Sequence, residues 1–333
     1  IRKLIFKLAV VLSLLMLIIS PFVAIFLHIE SIVLVVLVAP ILFFSLITLV
    51  NQSTSQGLLK FSGFVIPGLI SSLSKLLIGV GLILIGWSIF GAMFAIVIGA
   101  VFAYLYSFSY IKKIIKQKII KQTKVKAIDL KPFFKYSGPV LLQSLAFTSI
   151  FTVDVILAKH FLDPFSAGIY AALSTLGKII FFATSPIAST MFPVISKRKA
   201  QNQGYMKVFI VSFLITLFVG ITITFFYLLF PKIAIGILYG KDYLSAKTDL
   251  VWMGIFMIFY SLSNLLVNFF LSIGKVKIVF IPLFGALVQA VIIWFYHDSI
   301  TNIIHVSLFT TFIMFICLMG YTGYNLIYET KNK

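Results

Sequence analysis

The chain is short of acidic residues, of cysteine and of charge in general. Its 333 residues include 8 Asp and Glu and a single cysteine, Cys317, so no intrachain disulfide is possible. Charged residues make up 11 % and hydrophobic residues 61 % of the chain, whereas an ordinary soluble domain is about 25 % charged and about 45–50 % apolar. A soluble domain of this size cannot bury so much apolar surface. The composition excludes a soluble enzyme, a disordered tail and a disulfide scaffold, and it favours a polytopic membrane protein.

Long apolar runs divide the chain into membrane-spanning segments. A helix needs roughly 20 apolar residues to cross a bilayer. The runs lack the period-two alternation of a barrel strand, so we expect an all-α integral membrane protein with about ten transmembrane helices. The boundary between the third and fourth runs is the tightest, because two helices must turn near Trp87. The ten predicted spans cover residues 9–26, 32–49, 61–87, 89–108, 133–158, 167–195, 208–230, 250–273, 278–296 and 303–327.

The basic residues predict the orientation. The formal net charge is +19, with 27 Lys and Arg, but these residues lie in short gaps between apolar runs, which argues against nucleic-acid binding and for an orientation signal. If the gaps alternate from a cytoplasmic N-terminus, the opposite side collects only Lys159, Lys232, Lys241 and Lys247. Both ends of the chain are therefore predicted to be cytoplasmic, in a multi-pass membrane protein.

A basic segment divides the spans into two groups. Residues 111–132 are rich in lysine, with Ile111, Ile114, Ile115 and Ile119 at helical spacing, which predicts a basic amphipathic linker on the cytoplasmic surface. The segment serves either as an orientation signal or as a binding surface for anionic membrane lipids. We expect an incomplete N-terminal bundle of four spans over residues 1–110 and a C-terminal six-helix bundle over residues 133–333. If the two halves are equivalent, the first half is two spans short of the second, so we expect the chain to be N-terminally truncated.

Two lysines within predicted spans are the strongest candidates for binding residues. Lys75 shares a helix face with Ser71, and Lys178 shares one with Ser174. An ammonium group in the middle of a bilayer is costly, so both lysines should face water or a counter-ion. Serines on one helix face are also typical of close helix packing. Two cations, one from each half, favour a cavity for an anionic substrate such as a phosphate or pyrophosphate group.

Asp154, Gln143 and Asn264 are the other polar residues singled out in the spans. Asp154 either forms a structural ion pair with Lys178 on the adjacent helix or binds a coupling proton or sodium ion. Gln143 lies on the same helix face as Asp154. Gln143 and Asn264 are candidates for lining the cavity, and both of them, together with Asn268, are also candidates for interhelical hydrogen bonds. The four histidines form no cluster with metal-ligand spacing, so we predict no catalytic residue, metal or cofactor.

Several short patterns carry a resemblance to a known family. They occur in order along residues 138–196, 237–254 and 271–275. The matching residues are Pro139, Asp154, Ala167, Gly168, Ile169, Tyr170, Phe192, Pro193 and Ser196, then Gly240, Tyr243 and Ala246, then Leu271, Ser272, Ile273, Gly274 and Lys275. In these features the chain resembles bacterial polysaccharide-repeat flippases of the multidrug/oligosaccharidyl-lipid/polysaccharide exporter superfamily.

The resemblance implies both a fold and a function. It implies a V-shaped, two-bundle transporter of twelve helices, of which this chain would supply helices three to twelve. It further implies that the protein flips undecaprenyl-pyrophosphate-linked oligosaccharide repeat units from the inner to the outer leaflet by alternating access. Implied partners are the anionic lipid-linked oligosaccharide and glycan polymerase or glycosyltransferase machinery, without nucleic acid.

Two other functions remain open at this point. A multidrug or cation antiporter of the same superfamily would prefer acidic residues in its cavity, and Asp154 is the candidate for that role. A membrane polysaccharide polymerase or glycosyltransferase would need acids, bases or metal ligands, usually on a substantial loop. The longest predicted outer gap contains Asp242 and Asp249 but no histidine, so we expect a transporter rather than an enzyme.

Overall fold

The computed structural model describes residues 2–58, 60–118, 131–240, 243–244 and 247–331. Within these ranges the chain is helical, because backbone groups in an apolar environment must be hydrogen-bonded within their own segment. The helices are α1 (Arg2–Phe26), α2 (Ile32–Val36), α3 (Val38–Gly57), α4 (Phe61–Leu82), α5 (Ser88–Lys118), α6 (Lys131–Phe161), α7 (Pro164–Ala200), α8 (Met206–Leu229), α9 (Pro231–Tyr239), α10 (Asp249–Ser272), α11 (Phe280–Phe295) and α12 (Ile300–Lys331).

The described residues contain nine helical stretches that are long and apolar enough to cross a membrane. One of them, Phe61–Ile114, is 54 residues long and reverses direction. Gly86 and Ser88 adopt φ angles of 99° and 46° at the reversal. Near the far ends of α4 and α5, the hydroxyl groups of Ser62 and Tyr110 are 2.7 Å apart. This stretch is therefore an antiparallel pair of helices, and the described residues contain the ten expected spans.

The chain forms two compact units, Ile1–Ala127 and Ile128–Lys333. In the N-terminal unit, α1 packs on α3, and α5 packs on both α3 and α4. The first eight residues of the predicted linker continue α5, in which Ile111 is buried while Lys112 and Lys113 are exposed. The rest of the basic segment, residues 119–130, lies outside the described residues.

In the C-terminal unit, α10 is the central helix. It packs against α7, α8 and α12, and α6 packs along α11. About 72 % of the most apolar part of α10 is buried, which is more than in any other candidate span of the described chain. The largest buried side chains of this core include Phe256 and Phe270 of α10. The polar residues of the C-terminal unit are therefore held by a tightly packed bundle.

Two features of this unit differ from the predicted spans. The predicted outer gap after α8 contains α9, a nine-residue helix that begins at Pro231. Helix α7 extends over 37 residues, beyond the predicted range 167–195 at both ends. Its N-terminal extension is stabilised by Asp163, whose carboxylate accepts hydrogen bonds from the backbone N–H groups of Phe165 and Ser166.

Candidate functional site

The α6–α7 connection positions the most buried acidic group of the described residues. Only Leu162 and Asp163 separate the two helices, so they run as antiparallel neighbours. The hydrogen bonds from the Ser166 side chain and backbone, followed by that from the Phe165 backbone, lower the pKa of Asp163 below its usual value. The capped start fixes the register of α7 and brings Tyr170 opposite Asp154.

Asp154 lies in the interior of the C-terminal unit. Its side chain is 0 % exposed. One carboxylate oxygen accepts a hydrogen bond of 2.8 Å from the Tyr170 hydroxyl, and the other accepts one of 2.8 Å from the Val155 backbone N–H. Burying a carboxylate costs free energy unless its oxygens accept hydrogen bonds, and these two donors provide those bonds.

Gln289 of α11 and Ser307 of α12 extend this network. The Gln289 side-chain amide donates to the Ser307 hydroxyl at 2.9 Å and to the Ile150 carbonyl oxygen at 3.4 Å. Ser307 also interacts with the Tyr170 hydroxyl. Gln289 and Ser307 are both almost completely buried. Four helices of the unit, α6, α7, α11 and α12, therefore contribute to one buried polar cluster, which we call the Asp154 network: Asp154, Tyr170, Gln289 and Ser307.

Lys178 lies beside this network on α7. Its ammonium nitrogen is 4.5 Å from the centre of the Phe151 ring, a distance typical of a cation–π contact. The side chain is partly buried and interacts electrostatically with Asp154. Phe151 in turn contacts Phe181 and Tyr260. An aromatic wall therefore adjoins the ammonium group, and Asp154 is near enough to interact with it electrostatically.

The other predicted site residues of the C-terminal unit lie in different environments. Ser174, one turn before Lys178, is buried, and its hydroxyl has no hydrogen-bond partner within the described residues. Gln143 is also buried, on the same inward face of α6 as Asp154. Asn264 is partly exposed and accepts hydrogen bonds from the side-chain amide of Asn268. That contact runs along α10 rather than between helices, because residues four apart lie on one helix face.

Lys75 and Ser71 belong to the N-terminal unit. Gly99 of α5 faces this part of α4 so closely that a Cβ added to it would be 2.9 Å from the Ser71 carbonyl oxygen and 3.3 Å from Lys75 Cγ. Gly79, on the same face of α4, is buried against Ala95. The small residues therefore pack the two helices together. The Lys75 side chain is exposed on the described unit.

Sequence reasoning missed three members of the Asp154 network. Tyr170 was noted only as part of a family pattern, and neither Gln289 nor Ser307 was singled out. One glutamine in the apolar α11 was an available signal, since a polar side chain in a span usually finds a partner on a neighbouring helix. Within the described residues, no group of three or more His, Cys, Asp or Glu side chains could hold a metal ion. The arrangement can bind and position charged groups.

The comparisons with known proteins indicate the family and the fold of the chain. A family model described as "Polysaccharide biosynthesis protein" matches residues 4–248. No curated protein matches the chain. A structure of the lipid II flippase MurJ in an inward closed conformation has a TM-score of 0.71 and 16 % sequence identity, covering 97 % of this chain and 72 % of that one.

Two further solved structures show the same similarity. An outward-facing multidrug resistance MATE family transporter of the MOP superfamily has a TM-score of 0.69 and 13 % identity, covering 98 % of this chain and 78 % of that one. A MOP superfamily transporter from Pyrococcus furiosus has a TM-score of 0.64 and 14 % identity, covering 95 % of this chain and 77 % of that one. At these identities the similarity shows the fold of the chain.

Proposed function

Because the chain belongs to the polysaccharide biosynthesis protein family, whose model matches residues 4–248, we propose that it flips undecaprenyl-pyrophosphate-linked oligosaccharide repeat units from the inner to the outer leaflet. The family match confirms the resemblance found in the sequence, and it is the observation that carries this proposal. The structural similarity to the lipid II flippase MurJ supports a lipid-linked substrate. The protein would do no covalent chemistry and would alternate between inward-open and outward-open states.

Lys75 and Lys178 are each proposed as residues that interact with the anionic substrate. Lys178 supports this role because its ammonium group is only partly buried and lies 4.5 Å from the centre of the Phe151 ring. The exposure of Lys75 on the N-terminal unit supports it as well. Ser71, Ser174, Gln143 and Asn264 remain predictions as residues that line the substrate cavity.

Asp154 is proposed to be the structural partner of Lys178. Its electrostatic interaction with Lys178 and its complete burial support this assignment. The alternative is that Asp154 binds a coupling proton or sodium ion. Asp154→Asn separates the two roles. A structural partner predicts a less stable protein whose remaining transport still responds to an ion gradient, whereas a coupling residue predicts that this response is lost.

The proposal includes a cellular setting. The nine helical stretches of the described chain and the family membership make it a multi-pass membrane protein. We place it in the bacterial inner membrane with both ends of this chain in the cytoplasm, on the basis of the distribution of lysines. Glycan polymerases or glycosyltransferases would supply or use its substrate.

A cation antiporter is the second candidate function. The buried carboxylate of Asp154 and the structural similarity to MATE family transporters favour it. The two candidates differ in the charge of the ligand. A flippase that uses Lys75 and Lys178 should prefer an anionic lipid-linked pyrophosphate, whereas an antiporter should prefer an organic cation.

A binding measurement on the intact purified protein tests the proposed substrate. Undecaprenyl-pyrophosphate-linked oligosaccharide, undecaprenol and ethidium are compared by native mass spectrometry. We expect binding of the anionic lipid, weakened about tenfold in Lys75→Gln and in Lys178→Gln, because each loses a charge-assisted hydrogen bond. Lys207→Gln, at the exposed start of α8, is the matched control. Preferential binding of ethidium, or equal binding of undecaprenol, would contradict the proposal.

A further inference from the structure

A groove lies at the end of the C-terminal unit where α8 ends and α10 begins. It has a volume of about 730 Å³, and the residues that line it include Leu228, Phe230, Lys232, Lys247, Val251 and Trp252. We call it the α8–α10 groove. It contains none of the residues assigned above to the substrate or to the Asp154 network, so neither role accounts for it.

The walls of the α8–α10 groove are apolar and open. Leu228 and Leu229 are 56 % and 53 % exposed, and Trp252 is 44 % exposed. Phe230 and Ile233 are also exposed. These side chains suit contact with a hydrocarbon chain, because burying apolar surface is favourable in proportion to its area.

Among the described residues, the charged side chains that line the groove are two lysines. Lys232 and Lys247 line it, and both side chains are exposed. Lys232 lies in the first turn of α9, and Lys247 lies just before the start of α10, so two helix N-termini with their partial positive charge meet the same groove. The nearby carboxylate of Asp249, in the first turn of α10, accepts a hydrogen bond of 2.9 Å from the Thr301 hydroxyl. The groove thus combines an apolar wall with a cationic rim.

The cationic rim lies just beyond the apolar parts of two candidate spans, where lipid headgroups are expected. The candidate span of α8 ends at Leu229 and that of α10 begins at Asp249, so Lys232 and Lys247 lie just beyond the apolar parts of these helices. Between them, Ile237 and Leu238 of α9 are 77 % and 59 % exposed, which is typical of a short helix lying in the membrane interface. Trp252 is suited to the same level, since tryptophan is enriched at membrane–water interfaces.

We propose that the α8–α10 groove binds an anionic phospholipid, with its phosphate between Lys232 and Lys247 and an acyl chain along Leu228, Phe230 and Trp252. The match of charge and of apolar shape argues for this occupant, because a free anion would leave the apolar walls uncovered. The site depends only on insertion of the protein in a membrane, so it stands whether or not the protein flips lipid-linked oligosaccharide.

Lipid retention by the intact protein tests this site. Native mass spectrometry compares phosphatidylglycerol with phosphatidylcholine of the same acyl chains. We expect wild type to retain phosphatidylglycerol preferentially. In the double variant Lys232→Gln/Lys247→Gln, the preference for phosphatidylglycerol should fall about fivefold for each lysine removed. This is the effect expected of a surface lysine near anionic lipid. The matched control is Lys207→Gln/Lys277→Gln, which removes two exposed lysines outside the groove.

Two further arms separate the groove from a charge effect at the surface. Val251→Trp should fill the groove and reduce phosphatidylglycerol retention while both lysines remain. Millimolar inorganic phosphate should leave retention unchanged. Equal loss in the two double variants, unchanged retention in Val251→Trp, or displacement of the lipid by phosphate would each overturn the proposal. Thermal unfolding of every variant identifies any that fails to fold, and Val251→Phe then replaces Val251→Trp.

Discussion

Removal of one hydroxyl group tests the Asp154 network most sharply. Tyr170→Phe deletes the donor of the 2.8 Å hydrogen bond to the Asp154 carboxylate and leaves the ring in place. Both side chains are 0 % exposed, so water cannot replace the lost donor without opening the packing of α6 against α7. The carboxylate then keeps the Val155 backbone N–H and the nearby charge of Lys178.

The expected magnitude follows from the charge of the acceptor. A hydrogen bond to an ionised group contributes about 1.5–3 kcal/mol to stability, whereas one between neutral groups contributes about 0.5–1.5 kcal/mol. Tyr227 offers a matched comparison, because its buried hydroxyl donates to the Leu176 carbonyl oxygen at 2.7 Å. Tyr170→Phe should therefore lower the free energy of unfolding by about 2 kcal/mol, and Tyr227→Phe by about 1 kcal/mol.

Unfolding in mixed micelles with increasing SDS, followed by tryptophan fluorescence, measures this difference. A double-mutant cycle with Asp154→Asn should give a coupling energy of about 1 kcal/mol or more, because the two side chains share a direct contact. A loss for Tyr170→Phe no larger than that for Tyr227→Phe, together with no coupling to Asp154, would refute the argument that the tyrosine stabilises a buried carboxylate.

Three further predictions concern helix packing, capping and charge. Gly99→Ala should destabilise the N-terminal unit by about 1–3 kcal/mol, because the added methyl group overpacks against the α4 backbone. Gly81→Ala, whose added Cβ meets open space, should not destabilise it. Thermal unfolding compares the two variants. At neutral pH, Asp163→Ala should lower the unfolding temperature, whereas Asp163→Asn should not, because asparagine also caps helices well. The difference in unfolding temperature between wild type and Asp163→Ala should vanish as the pH falls through the lowered pKa of Asp163, because the protonated carboxyl caps poorly. Lys75→Ala and Lys178→Ala should each impair transport without preventing membrane insertion, whereas the arginine variants should retain transport. Oligosaccharide transfer in proteoliposomes measures this effect. Wild-type rates in both alanine variants would contradict the role of the lysines.

The positions of the helices were largely predictable from the sequence. Apolar runs of membrane-spanning length are a local signal, and even the tight reversal near Trp87 was expected between two such runs. The short helix α9 was not predicted, because its nine residues are too few to form a span and lie among charged residues. Segment length and hydropathy therefore determine most of this fold at the level of individual helices.

The partners within the site were less predictable. Asp154 and Lys178 could be recognised as candidates because charged groups are rare in spans. Gln289 and Ser307 lie 135 and 153 residues further along the chain than Asp154, and periodicity on one helix does not say which helix packs beside it. Asn264 and Asn268 show the same limit, since their helical spacing is compatible with contacts along α10 as well as between helices.

Transfer of a labelled lipid-linked oligosaccharide across proteoliposomes that contain the intact protein is the most direct test of the proposed function. The labelled lipid is placed in one leaflet, and its appearance in the other is followed with a membrane-impermeant reagent. The proposed function predicts transfer well above that of protein-free liposomes, with strong impairment in the Lys75→Ala and Lys178→Ala variants. Transfer no faster than in protein-free liposomes, by a protein that is folded and inserted, would contradict it.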